Sequence, residues 1–324
     1  MASKTIFLPS LRDEESGYRF LFRLASHIID DPHSFYYLDF SKCSVFEQNA
    51  VAMLGGLCNY VNRKNSLSNK RTNFGGILSS IVIPTNRIGI KVDTMSQPIK
   101  SSLTANKFFD YFEKKHGNKL IKGNYIGYRE HEKILNDDEI AQHLSEQWLT
   151  NEKLKISNEL KSAIISKIFE IFMNAYGHGV QDNSLGLSVI SCGQHYLKDK
   201  KLSLTVLDFG AGIIDSVKGH LKIKLSDKEA MEWALEQGNS TRTDSINNIP
   251  RGLGFGILKD FVKINKGSIK IYSNTCSAHL DSNGNYIVNE MIESFKGTMV
   301  TVTINCDDRY YRFKPEPSNK KSFF

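Results

Sequence analysis

The chain of 324 residues is long for one compact core and comfortable for two α/β domains, and its 40% hydrophobic and 24% charged residues exclude wholesale disorder and fibrous repeats. No apolar run reaches the roughly 18 residues that span a bilayer, and no signal sequence opens the chain, so a soluble cytoplasmic protein with no membrane partner is expected. The net charge of +7 is dispersed, with no basic run longer than two residues, as at Lys320-Lys321, and the five cysteines stand singly without a CxxC pair, which argues against a nucleic-acid patch and a zinc site.

In chain order, KTIFLP (4–9) and FYYLDF (35–40) read as strands around a helix from Glu14 to Asp30, whose Phe20, Leu21, Leu24 and Ile28 recur at helical spacing. Phe46 to Val61 is a second apolar helix, with Val51, Leu54 and Leu57 toward a sheet. The segment 63–73 is an exposed polar loop, and Ser80 to Pro84 a short strand. A helix is expected over 106–116 and an edge strand or connector over 125–129. The polar helical stretch 136–151 marks a junction, dividing the chain into an α/β domain at 1–135 and a second at 136–312, with a disordered tail at 313–324.

The second half begins with a long, mostly interior helix over 157–179, carrying Ile164, Ile168 and Phe172 on one stripe and Ile165, Phe169 and Ile171 beside it. Strands at 185–191 and 202–207 follow, then a helix capped by Ser226 with Glu229 completing the capping box. A glycine-rich segment at 252–256 leads into another helix, and strands at 267–273, 285–289 and 297–305 complete the pattern.

Three short elements carry chemistry. On the long helix, Glu170 and Asn174 lie four residues apart, so both project from one face, where an amide oxygen can ligate a hard cation and a carboxylate can orient an attacking group. The same pair could be a simple polar helix surface. Strand 202–207 delivers Asp208 to a strand end, before Gly210 and Gly212 in DFGAGI, where missing side chains admit a planar ring and the acid can accept a hydrogen bond from an exocyclic amine. Alternatively, this is a strand-to-helix turn. Gly252, Gly254 and Gly256 open a helix, whose free N–H groups favour a polyphosphate.

Taken together, ExxxNA at 170–175, DxGxG at 208–212 and GxGxG at 252–256 resemble the three boxes of the GHKL superfamily of ATP-binding domains, in that family's order; GTMVTVTI at 297–304 resembles its final strand. The resemblance implies a Bergerat α/β sandwich with a mixed sheet that binds ATP and Mg²⁺. It makes Glu170 the general base, Asn174 the metal ligand and Asp208 the adenine reader supported by Thr298. Gly210 and Gly212 then permit close approach, and Gly252, Gly254 and Gly256 bind phosphate. Residues 213–251 would contain a lid, with Thr241 and Arg242 in a GxST(K/R)-like stretch and Arg242 or Arg251 neutralising phosphate. Where many members have a lysine after the box asparagine, this chain has Gly177; His178 in NAYGHG instead looks like the anti-sigma-factor serine kinases and could contact phosphate.

FYYLDFSKCSVFEQNAVAMLGGL resembles the core of STAS domains, the partner fold of those kinases, but Gln48 stands at the phosphorylatable serine and Glu47 before it. The implied function is an ATP-dependent switch with slow hydrolysis or serine/threonine phosphorylation, acting on a regulatory protein partner or through self-association. The alternative is a non-catalytic nucleotide-sensing module. A histidine kinase is the weaker reading, because its phosphoacceptor would have to be His131, expected at the surface and too close in sequence to Glu170 for the usual hairpin. A nucleic-acid role like that of gyrase or MutL relatives is weaker still, since little chain follows the last strand to form their transducer domain.

Overall fold

Alternating residues along two sheets determine which faces pack together. In this computed structural model the described residues are 2–66, 77–78, 81–82, 85–112, 123–132, 137–176, 187–236, 238–239 and 256–314. The first sheet holds β1 (Ser3–Phe7), β2 (Phe35–Asp39), β3 (Ile77–Leu78), β4 (Ile81–Val82) and β5 (Ile88–Lys91) in the order β1-β2-β5-β4-β3. Its β1, β2 and β5 are parallel and its β3 and β4 antiparallel. Helices α1 (Glu15–Asp30) and α2 (Gln48–Ser66) bury Tyr18, Leu21, Phe22, Leu24 and Ile28, and Val51, Leu54 and Leu57 respectively.

The second sheet holds β6 (Tyr125–His131), β7 (Val189–Tyr196), β8 (Lys201–Asp208), β9 (Ser268–Leu280) and β10 (Tyr286–Asn305) in the order β6-β7-β8-β10-β9. Every pair in it is antiparallel, so the mixed sheet expected in this half is instead found in the first. The reason is connectivity: short turns join β7 to β8 and β9 to β10, and the long excursion after β8 returns β10 from the opposite end. Because β6 is the outer strand of this sheet, the second sheet begins upstream of residue 135, where the sequence placed the junction.

On β8, Leu202, Leu204 and Val206 face one core, while Ser203, Thr205 and Leu207 face the opposite side. The first core contains α5 (Asn158–Asn174), α6 (Ile213–Leu221), α7 (Asp227–Leu235), α8 (Gly256–Asn265) and the turn after α4 (Asp137–His143). On the other face lie α1 and α2, and one continuous cluster joins Leu21, Val51 and Leu57 to Ile190, Leu207, Phe295 and Met299 of the second sheet. The order of layers is therefore sheet, helices, sheet, helices. Within that middle layer, Gly55 and Gly56 let α2 approach closely: a methyl on Gly55 would lie 2.2 Å from the Tyr128 ring.

A buried polar ladder crosses the same interface. Ser203 and Thr303 hydroxyls are 2.8 Å apart, as are those of Thr205 and Thr301. Thr205 donates to Gln48 Oε1 at 3.1 Å, and Tyr18, 3.1 Å from Thr301, donates to Asp13, which Lys270 also binds. Gln48 is thus a buried interface residue.

Local differences from the sequence reading have local causes. The helix expected over 106–116 lies instead at α3 (Gln97–Ala105), begun by Pro98 near its first position and ended at Asn106 before Lys107 in a left-handed conformation. A 3-10 turn at Phe109–Tyr111 follows, and 113–116 lie outside the described residues. Strand β5 was not foreseen, because IGIK is short and carries a glycine. The strands expected at 285–289 and 297–305 are one strand, β10, with irregular register between Glu290 and Thr298 that hides its continuity in the sequence. The loop beyond Ser66 to residue 73, and 315–324 of the tail, lie outside the described residues.

Candidate functional site

Strand β8 ends on Asp208, whose direct partner across the antiparallel ladder is Thr298 of β10. Both belong to the face of the sheet that carries α5 to α8. The Gly210 N–H donates to Asp208 Oδ1 at 2.8 Å, and the Thr298 hydroxyl and N–H also donate to the carboxylate. Asp208 is 1% exposed, and among the described residues it has no ion-pair partner. Burial therefore outweighs the hydrogen bonds and pushes its carboxyl up to about 7.

The glycines around it have separable roles. Gly297 has φ +134°, and a methyl there would stand 2.1 Å from the Asp208 carbonyl oxygen, so only glycine lets β10 close against β8 at this point. Gly212, with φ +83°, caps α6. Its neighbours Ile213 and Ile214 donate their N–H groups to Ser273 Oγ and Asn274 Oδ1 at 2.8 and 3.1 Å, while Asn274 donates to the Ala211 carbonyl. Ser273 and Asn274 thus rigidify the DFGAGI turn from β9; both were missed, because nothing in sequence signals a cap supplied sixty residues away. Ser273 Oγ also lies 3.3 Å from Thr298 Oγ1, joining the turn to the Asp208 support.

On α5, Ile164, Ile168 and Phe172 are buried, whereas Glu170 and Asn174 share the half-buried side. Glu170 pairs with Lys167 at 2.5 Å, a cation one turn earlier on the same helix. The arrangement offers an acid, an amide and a lysine along one helical stripe. Among the described residues no group of three or more His, Cys, Asp or Glu could hold a metal. Asn174 fits a divalent cation only as one oxygen donor alongside a ligand's own phosphate oxygens, with Mg²⁺ keeping water in its remaining positions.

Gly256 begins α8, and a methyl on it would meet open space. His178, Thr241, Arg242, Arg251, Gly252 and Gly254 lie outside the described residues. Within the span 213–251 assigned to a lid, α6 and α7 are packed helices that bury Ile214, Val217, Ala230 and Met231, and the capping box at Ser226 and Glu229 is formed.

No protein-family model matches the chain, and no curated protein matches it in sequence.

Two concave regions lie away from Asp208. One, of about 510 Å³, runs between α1 and the β9–β10 hairpin over Tyr18, Phe22 and Tyr272; the other, of about 390 Å³, is lined by Tyr125, Gln147, Lys153 and His195. His131, expected at the surface, is 3% exposed within β6, where its Nε2 is 2.8 Å from Ser191 Oγ. Strand pairing and the packing of Phe172 against its ring bury it, contrary to that expectation.

Proposed function

We propose that the chain is a Mg-ATP-binding protein of the GHKL type, in which nucleotide state is reported by contact between its two halves. The observation that carries the reading is Asp208: a buried carboxylate at a strand end, braced by Thr298 and a glycine turn, with no cation to neutralise it among the described residues. Such an acid suits an exocyclic amine, which favours its ionised form by donating to it. The fold supports the same reading, since helices cover the sheet face that bears Asp208. On this reading the first half is a STAS-like domain and the second a Bergerat sandwich.

Bound ATP would supply phosphates that complete the coordination of Mg²⁺ with Asn174. Glu170 would orient water for slow hydrolysis, or a serine or threonine hydroxyl for transfer, accepting its proton. A regulatory protein or a second copy would read the resulting surface in the cytoplasm. Among the described residues no helix is long and apolar enough to cross a membrane.

The non-catalytic sensing module is favoured by one observation, the Lys167–Glu170 pair, which occupies the proposed base. A phosphoaccepting role for His131 is disfavoured by its burial. Measuring ATP turnover and binding separately in wild type and Glu170→Ala distinguishes the two: the enzyme reading expects turnover to fall at least tenfold with binding retained. Binding without turnover or transfer in both proteins would leave the sensing module.

A further inference from the structure

The strand end that carries Asp208 also reaches into the first half of the chain. Side chains alternate along β8, so Asp208 lies on the face covered by α5 to α8, and Phe209, the next residue, lies on the face covered by α1 and α2. Phe209 is 5% exposed. Its ring stacks on Tyr60 of α2, with centroids 5.4 Å apart and planes 29° from parallel, and meets Phe295 of β10 edge-on at 5.3 Å. Helix α2 fits closely here: a methyl on Gly56, one turn before Tyr60 on the same side, would lie 2.8 Å from the Phe209 ring.

The backbone joining the two residues is held as closely as the ring. A methyl on Gly297 would stand 2.1 Å from the Asp208 carbonyl oxygen and 3.0 Å from the Phe209 Cα, so β10 packs directly against the peptide that links them. Asp208 Oδ1 accepts from the Gly210 N–H at 2.8 Å, which ties the carboxylate to backbone on the far side of Phe209. Displacing the Phe209 ring therefore moves the chain at both ends of that hydrogen bond, because a close-packed interior transmits strain. Phe295 continues the packing to Phe22 of α1, 5.0 Å away and 18° from parallel, so a second helix of the first half backs the same aromatic group.

We propose, on the nucleotide reading of Asp208, that Tyr60 of the first half is a positioning residue for that acid, acting through Phe209, and that it sets how well the site distinguishes adenine from a purine lacking the exocyclic amine. Tyr60 itself packs on the opposite face of the sheet from the Asp208 side chain and touches no nucleotide. A hydrogen bond weakens steeply as it loses alignment. Releasing Phe209 therefore costs ATP the amine contact, while purine riboside triphosphate, with hydrogen in place of the amine, has no such contact to lose. The coupling runs both ways: a nucleotide that engages Asp208 through its amine also holds Phe209 against Tyr60 and α2.

The test is equilibrium titration of the full chain with the magnesium complexes of ATP and of purine riboside triphosphate. Wild type should prefer ATP by about tenfold or more. That preference should fall about threefold or more in Tyr60→Leu and in Phe209→Leu, no further in the double variant than in the worse single one, and should persist in Tyr60→Phe, which keeps the ring. Leu24→Ala, a core truncation in α1, should lower stability and leave the preference intact. Equal losses for both nucleotides in Tyr60→Leu, an undiminished preference there, or additive losses in the double variant would overturn the proposal, whereas a wild type that binds both alike overturns the reading of Asp208 as well. If the variants do not fold, hydrogen exchange of the unsubstituted protein decides: amides over residues 56–60 should exchange more slowly under saturating ATP than under the saturating analogue, and equal rates overturn it.

Discussion

Asp208 joins the candidate chemistry to the stability of the chain. Its carboxyl is raised from 3.8 to about 7 by burial, so the folded state holds a proton that the unfolded state has released between those values. That stability is complete below pH 3.8 and declines as pH rises to about 7. Replacing the acid with a neutral amide removes the loss. Relative to wild type, Asp208→Asn should therefore gain about 1.4 kcal/mol per pH unit across that window and level off above it, measured by denaturant unfolding from pH 4 to 8. An amine donor favours the ionised acid, so adenine-nucleotide affinity should rise from pH 6 to 8 with proton release, measurable calorimetrically in buffers of different ionisation enthalpy.

The pattern around Asp208 was partly legible. A strand leading to an acid followed by spaced glycines could be read directly, because each feature is local. Ser273 and Asn274 could not, since their role arises only when β9 is laid beside the turn. Lys167 was visible on the same helix face, but its pairing with Glu170 depends on rotamers that spacing alone does not determine.

At the scale of elements, α2 shows how a substitution can oppose its own helix propensity. Alanine normally favours a helix over glycine by about 1 kcal/mol. At Gly55, however, the added methyl would lie 2.2 Å from the Tyr128 ring, so Gly55→Ala should be destabilising by about 2 kcal/mol or more in equilibrium unfolding. Gly297→Ala meets backbone 2.1 Å away and should lose both stability and nucleotide affinity. Apolar periodicity made α1, α2 and α5 readable; it could not reveal that α1 and α2 lie between two sheets, because burial on both sides is a property of the assembled layers. The glycines expected to bind phosphate are legible only by their spacing: Gly256 begins α8, while Gly252 and Gly254 lie outside the described set.

For the whole molecule, buried histidines set the acid limit. Burial lowers His131 to about 3 and drives His143 well below its ordinary value of 6.5. Stability from both is present above pH 6.5 and is lost as pH falls toward the depressed values, by about 1.4 kcal/mol per pH unit for each fully neutral ring. Two histidines outweigh the opposite slope of Asp208, so these groups together should make unfolding easier at pH 5 than at pH 6.5. His131→Phe should flatten that dependence if its packing against Phe172 is retained.

The most direct test of the central claim is equilibrium binding of Mg-ATP to the full chain by titration calorimetry, beside Asp208→Asn and Asn174→Ala variants shown to be folded. Saturable binding by wild type is predicted, at least tenfold weaker in Asp208→Asn and losing its Mg²⁺ dependence in Asn174→Ala. No binding by wild type, or equal binding by all three proteins, would contradict the assignment of Asp208 and α5 to a nucleotide site.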